Sequence, residues 1–124
     1  MCRILIAEDE PRIAAFMQKG LRKAGFTPEV VHDGNAVLDK VLREKFELLL
    51  LDLGLPGKDG REVLTALRRE GMNLPVVVVT ALSIDPQDEE NLRILASEVV
   101  NKPFLMRNLV QKVRSILGKS HDKP

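Results

Sequence analysis

The chain has 124 residues, 44% of them hydrophobic, with 19 Lys/Arg against 18 Asp/Glu and a formal net charge of +1. That length and apolar content suit one domain with a real core and exclude a disordered chain. Near-neutral charge, no Trp or Tyr and only four Phe leave no net electrostatic footprint or stacking platform for nucleic acid, and none for an anionic membrane. The single cysteine, Cys2, excludes an internal disulfide. The longest apolar runs fall far short of the roughly 20 residues that span a bilayer. Met1-Cys2-Arg3 leads into a short strand rather than a signal peptide, so the expectation is a soluble, cytoplasmic protein.

Ile4–Ala7 is an apolar run too short for a helix, bounded by Glu8-Asp9-Glu10-Pro11; it is read as a strand. Pro11 suits a first helical turn, with the acidic residues before it favoured by the dipole. Ile13, Ala14, Met17, Leu21 and Ala24 recur at helical spacing, and Gly25 stops that helix. Thr27–Val31 is a second strand, placed near a sheet edge or a strand start by Pro28. Asn35–Arg43 is helical, with Ala36, Val37, Leu38, Val41 and Leu42 on its apolar side and Asp33 as a turn or helix-start residue.

Phe46–Leu51 is a continuous apolar strand, buried on both faces as in a parallel sheet. Arg61–Arg69 is a helix ended by Gly71, and Pro75–Val79 is a fourth strand. Pro86–Leu95 is a weak helix, with Gln87-Asp88-Glu89-Glu90-Asn91 in its first half. Glu98–Asn101 is a fifth strand and Met106–Leu117 the last helix. Five β-α alternations imply right-handed crossovers and a doubly wound α/β sheet with helices on both faces. The domain is expected over residues 1–117, with 118–124 a flexible polar tail or linker stub.

Polar residues cluster at four strand carboxyl ends: Glu8 and Asp9 after the first, Asp52 after the third, Thr80 after the fourth and Lys102 after the fifth. In doubly wound sheets that edge is where ligands bind. Three carboxylates crowded together call for a cation, and hard oxygen donors suit Mg²⁺. Asp9 and Asp52 are assigned as direct ligands, Glu8 as acting through water, and the Gly54 carbonyl as an available backbone ligand. An aspartate can also be a nucleophile toward phosphorus. Lys102, the Thr80 hydroxyl and the Ala81 amide could then neutralise the phosphoryl oxygens. Singly, each residue has an ordinary explanation: a helix cap, a turn Asp, a β-branched strand end, a solvated Lys. Their joint placement at one sheet edge outweighs those explanations. Lys58 and Asp59 are read as solvated loop residues, and Cys2, His32 and His121 as incidental.

Glu8-Asp9 before Pro11, Asp52 with Pro56 and Gly60, Thr80-Ala81 and Lys102-Pro103-Phe104 together resemble the receiver domains of two-component response regulators. The segment from Asp52 to Gly60 is most similar to receivers of OmpR-type winged-helix transcription regulators. The resemblance covers nearly the whole chain. It implies a flavodoxin-like (βα)5 sheet of order 2-1-3-4-5 and a cis Lys102–Pro103 bond. It also implies an Asp52 that accepts a phosphoryl group, with Mg²⁺, from a histidine kinase or phosphotransfer protein. Such a domain phosphorylates and dephosphorylates itself but is not an enzyme toward metabolites. The resemblance further implies a homodimer through the fourth helix, fifth strand and fifth helix, where Glu98 and Lys112 match one charged pair and Asn108 replaces an acid. Nucleic acid would be bound only by a missing effector domain, and no membrane is implied.

The pattern departs from the family at Val99, where receivers carry Tyr or Phe, at Leu95-Ala96 in place of Gly-Ala, and at Glu89 on the fourth helix. These departures predict a remodelled or mobile fourth helix, with switching carried by the loop after Thr80. They keep open the alternative of a pseudo-receiver that docks a partner without phosphorylation. Gly54 and Leu82 flank the path of hydrolytic water by the same resemblance.

Overall fold

Alternation along the strands and three-to-four spacing along the helices are satisfied by a single arrangement. The structure is a computed structural model that describes residues 2–81 and 83–121, with the backbone alone for 119–121. The element order is β1 (Arg3–Ala7), α1 (Pro11–Lys23), β2 (Thr27–Val31), α2 (Gly34–Arg43), β3 (Leu48–Leu51), α3 (Gly60–Arg69), β4 (Val76–Thr80), α4 (Pro86–Leu95), β5 (Glu98–Asn101) and α5 (Met106–His121). The sheet runs β2-β1-β3-β4-β5 with every pairing parallel. This is the doubly wound, flavodoxin-like order expected from the sequence, and it puts the Pro28 strand at an edge.

Successive residues of the central strands point to opposite faces. Leu5, Ala7, Leu49, Leu51, Val76 and Val78 pack with residues of α2, α3 and α4. Ile4, Ile6, Leu48, Leu50, Val77 and Val79 pack with Met17 and Leu21 of α1 and Leu109, Val113 and Leu117 of α5. Both faces are therefore covered, which is why β3 and β4 are apolar without a break.

Short acidic side chains set the helix starts. Asp33 Oδ1 accepts from the Ala36 amide at 2.8 Å and Asp85 Oδ1 from the Asp88 amide at 2.8 Å. Asp59, read as a solvated loop residue, caps α3 instead, accepting from the Arg61 amide at 2.7 Å. Such caps satisfy amides that have no intrahelical partner.

Two boundaries differ from the sequence reading by more than one residue. β3 begins at Leu48 rather than Phe46, because Phe46 turns into the core under the Arg3 guanidinium, 4.4 Å from its ring centre. α5 continues through His121 rather than ending at Leu117, and residues 122–124 of the expected tail lie outside the described residues. The fourth helix, expected to be remodelled or mobile, is formed over the residues read from the sequence. α4 is a regular ten-residue helix, and the acidic residues that weaken its apolar pattern are used: Asp85 as the cap, Asp88 in an ion pair with Arg61, and Glu89 with Arg93 at 3.1 Å.

Candidate functional site

The carboxyl ends of the strands are drawn together by backbone hydrogen bonds that continue past the sheet. The Glu8 amide donates to the Val31 carbonyl at 3.1 Å, the Asp52 amide to Ala7 at 3.1 Å, and the Lys102 amide to Thr80 at 2.9 Å. The first side chains beyond β1, β3 and β5 therefore share one small volume. Thr80, the last residue of β4, is fully buried beside them.

Lys102 Nζ donates to Glu8 Oε1 at 2.6 Å and reaches Asp52 Oδ2 at 3.4 Å. The second Glu8 oxygen accepts from the Glu10 amide at 3.1 Å, and Asp52 Oδ1 accepts from the Gly54 amide at 3.1 Å. One carboxylate oxygen from each of Glu8, Asp9 and Asp52 lies within 4.8 Å of the others. Glu8 and Asp52 are buried, at 2% and 8% exposure, while Asp9 stands open to solvent. Desolvation is the main reason the Glu8 carboxyl is held above its ordinary pKa, opposed by the Lys102 hydrogen bond and reinforced by the Asp52 charge. The pocket thus concentrates negative charge where solvent offers little relief, an arrangement that favours a hard cation.

The loop after Asp52 is held by two close backbone approaches. A Cβ on Gly60 would fall 2.6 Å from the Asp52 carbonyl oxygen, and one on Gly34 would fall 1.8 Å from the Lys58 carbonyl oxygen. The Gly34 amide donates to the Pro56 carbonyl at 3.1 Å and the Gly60 amide to Leu53 at 3.1 Å. The start of α2 and the start of α3 therefore clamp residues 53–59 against the site. Gly54 is open, its nearest neighbour for an added Cβ being Asp52 Oδ1 at 3.8 Å.

Residues 4–114 match the family described as response regulator receiver domain. The chain belongs to that family. It is 43% identical over 115 residues to the transcriptional activator protein IrlR of Burkholderia pseudomallei, covering 93% of this chain and 50% of that protein. It is 36% identical over 118 residues to the transcriptional regulatory protein TctD of Salmonella typhimurium, covering 95% of this chain and 53% of the relative. The receiver chain thus spans about half the length of these curated relatives. Among solved structures it is similar to the response regulator TrrA of Thermotoga maritima in complex with Mg²⁺–BeF. The TM-score there is 0.84 and the identity 30%, with 93% of this chain and 98% of that one covered. That relative is described in complex with Mg²⁺–BeF, and the receiver here has an acidic group, Glu8, Asp9 and Asp52, that could hold a metal ion. Among the described residues, no helix is long and apolar enough to cross a membrane.

All the sequence-predicted site residues within the described part of this receiver domain fall at that edge. Leu82, the other residue expected to flank the water path, lies outside the described residues. The Lys102–Pro103 bond is cis. His32, read as incidental, donates from Nδ1 to the Glu8 carbonyl at 3.1 Å and so steadies the backbone below the acidic pair. Glu98 and Lys112 lie 3.6 Å apart within the same chain, and Glu98 also pairs with Arg93 at 2.5 Å. The residue that sequence reasoning missed is Arg68. Its guanidinium bonds the carbonyls of Met72, Leu74 and Leu95, and an Arg-Arg pair in the last turn of an amphipathic helix gives no sign that one of the two has three carbonyl partners in other segments.

Proposed function

We propose that this receiver takes a phosphoryl group on Asp52 from the phosphohistidine of a histidine kinase or phosphotransfer protein, and that the phosphorylated state is the signal. The supporting observation is the convergence of Asp52, Lys102 and the Glu8/Asp9 pair on one volume at the sheet edge. In the transfer an Asp52 carboxylate oxygen forms a bond to phosphorus while the P–N bond to the donor imidazole breaks, giving a mixed anhydride and free histidine.

Asp9, Asp52 and the Gly54 carbonyl would hold Mg²⁺. Both Glu8 oxygens already accept hydrogen bonds, which supports a role for Glu8 through a metal-bound water. Mg²⁺ supplies charge neutralisation at the phosphoryl oxygens. Lys102 provides a second fixed positive charge on the same face, and the Thr80 hydroxyl and Ala81 amide supply donors on the β4 side. The domain turns over no metabolite. Its relatives' names support a place in the regulatory half of a transcriptional regulator, with a homodimer formed through α4, β5 and α5.

Intact mass after incubation with Mg²⁺ and acetyl phosphate tests the acceptor. Wild type should gain one phosphoryl group and Asp52→Ala none. Mg²⁺ binding with no mass gain would move the assignment to a pseudo-receiver that docks its partner constitutively.

A further inference from the structure

The near-neutral net charge conceals a division of charge between the two helix layers. α1 and α5 lie on one face of the sheet. Across Pro11–Lys23 and Met106–His121 there are eight Lys/Arg and no Asp or Glu. Arg12, Lys19, Arg22, Lys23, Arg107, Lys112 and Arg114 are all exposed. Among the described residues, one of these takes part in an ion pair, Lys112 with Glu98 at 3.6 Å. The opposite layer is neutralised in pairs: Arg43 with Asp39, Arg61 with Asp88, Arg93 with Glu89, and Lys40 with Glu44 at the end of α2.

Solvated lysines on helices are ordinary, and the helix dipole accounts for Arg22 and Lys23 in the last turn of α1. It does not account for Arg12 and Arg107. Each stands in the first turn of its helix, where a cation is disfavoured. Between the two helices runs a groove of about 490 Å³, with Lys23, Arg107 and Arg114 along its walls. Arg114 Nη2 donates to the Ala24 carbonyl at 3.1 Å, which fixes that cation over the groove.

We propose that the α1/α5 face binds the phosphate backbone of duplex DNA. Two helices of 13 and 16 residues present a basic strip about 20–24 Å long, on the α-helical rise. That matches a linear polyanion better than a single anionic ligand. The face carries one exposed aromatic among the described residues, Phe16. Base stacking is therefore not its mode, and contacts to phosphates without sequence reading are. The inference rests on the reading of the protein as part of a transcriptional regulator, in which another segment would bring DNA close and this face would add affinity.

The test is fluorescence anisotropy of a labelled random-sequence duplex with the chain, over a salt series starting near 50 mM. Two triple variants with the same charge change are compared. R22Q/K23Q/R107Q removes cations from the face, and R43Q/K45Q/R69Q removes them from elsewhere. Wild type should bind with an affinity that falls steeply with salt, each contacting cation adding about 0.9 to the log–log slope. The face triple should weaken binding about 10-fold or more and lower the slope by about 2–3, and the control triple should change it by less than 2-fold.

Equal effects of the two triples would overturn the proposal, as would wild-type binding without salt dependence or no binding at all. Binding of poly-glutamate as tight as that of the duplex would overturn it in favour of an acidic protein partner. Phosphoryl uptake by mass, measured on the same samples, separates failure of this proposal from failure of the receiver assignment.

Discussion

Arg68 on α3 donates from Nε at 3.0 Å and from Nη2 at 2.7 Å to the carbonyl of Leu95, the last residue of α4. Its Nη1 donates to the carbonyls of Met72 and Leu74, which lie between α3 and β4. Seven residues earlier on the same helix, Arg61 pairs with Asp88 near the start of α4. α3 thus grips α4 at both ends. The grip matters because α4 buries little itself: Leu92 is its buried residue and Ile94 is 77% exposed.

Arg68→Ala should therefore cost about 2–4 kcal/mol, since it strips partners from three carbonyls at once and each unpaired group costs about 1–3 kcal/mol. Arg68→Lys should recover only part, because an ammonium cannot reproduce the guanidinium fork. Urea denaturation gives the magnitude. Hydrogen exchange should show amides of α4 losing protection first, and uniform loss across the sheet would argue against the grip.

The acidic site should carry a stability penalty that function requires. Asp52 charge raises the Glu8 carboxyl further, so Asp52→Asn relieves repulsion. Without divalent cation this variant should melt higher than wild type while failing to take up phosphate. Adding Mg²⁺ should raise the wild-type melting temperature by the linkage of ligand to the folded state, and raise that of Asp52→Asn much less. Thermal scans with Mg²⁺ and with chelator check both. A wild-type melting temperature indifferent to Mg²⁺ would remove the metal from the proposed mechanism.

Acid sensitivity should come from the opposite end of the sheet. Arg3 and Lys40 each pair with both Glu29 and Glu44 in a closed ring. The Glu29 carboxyl is held below its ordinary value first by Lys40 and then by Arg3, and that of Glu44 first by Arg3 and then by Lys40. A carboxyl with a depressed folded pKa stabilises above its unfolded value of about 4.3 and loses that contribution as pH falls through the folded value. Stability should therefore drop as pH falls below about 4. The ring is partly exposed, so solvent screening keeps its share small. The double variant Arg3→Ala/Lys40→Ala should flatten that limb of a urea-midpoint profile. Glu8, with its raised pKa, has the opposite sign and contributes instability that grows as pH rises above the unfolded carboxyl value of about 4.3 toward the folded one.

Gly34 and Gly60 should tolerate no side chain. Gly34→Ala would drive a methyl to within 1.8 Å of the Lys58 carbonyl, and Gly60→Ala to within 2.6 Å of that of Asp52. Overpacking against backbone costs typically about 1–3 kcal/mol, and more when nothing can shift. Gly34→Ala should be the worse, although it lies far in sequence from the acceptor. Both should also slow phosphoryl uptake measured by mass, because the loop they clamp positions Asp52. Gly118→Ala, with open space around it within α5, is the control: it should leave phosphoryl uptake unchanged and, if anything, stabilise by up to about 1 kcal/mol as Gly→Ala does in a helix.

The order of elements, the parallel sheet and the gathering of the candidate site residues at its carboxyl edge were legible in the residues, because burial on two faces leaves an unbroken apolar strand and the first polar residue after it must lie at the sheet edge. Glu8 and Asp52 carry that local signature, Thr80 closes the apolar run of β4, and Lys102 follows the polar Asn101 at the end of β5. What the sequence by itself could not decide is how residues far apart along the chain share charge and space. α4 looked weak because its own pattern is acidic, and only packing supplied Arg61 and Arg68 to hold it. Phe46 looked like a strand residue, and only the fold set it beneath Arg3. Net charge looked neutral, and only the winding of α1 and α5 onto one face separated the positive layer from the paired one. Local periodicity records how a segment meets solvent and core. It carries no record of which distant segment lies opposite, and that is where ion pairs, carbonyl partners and surface fields are made.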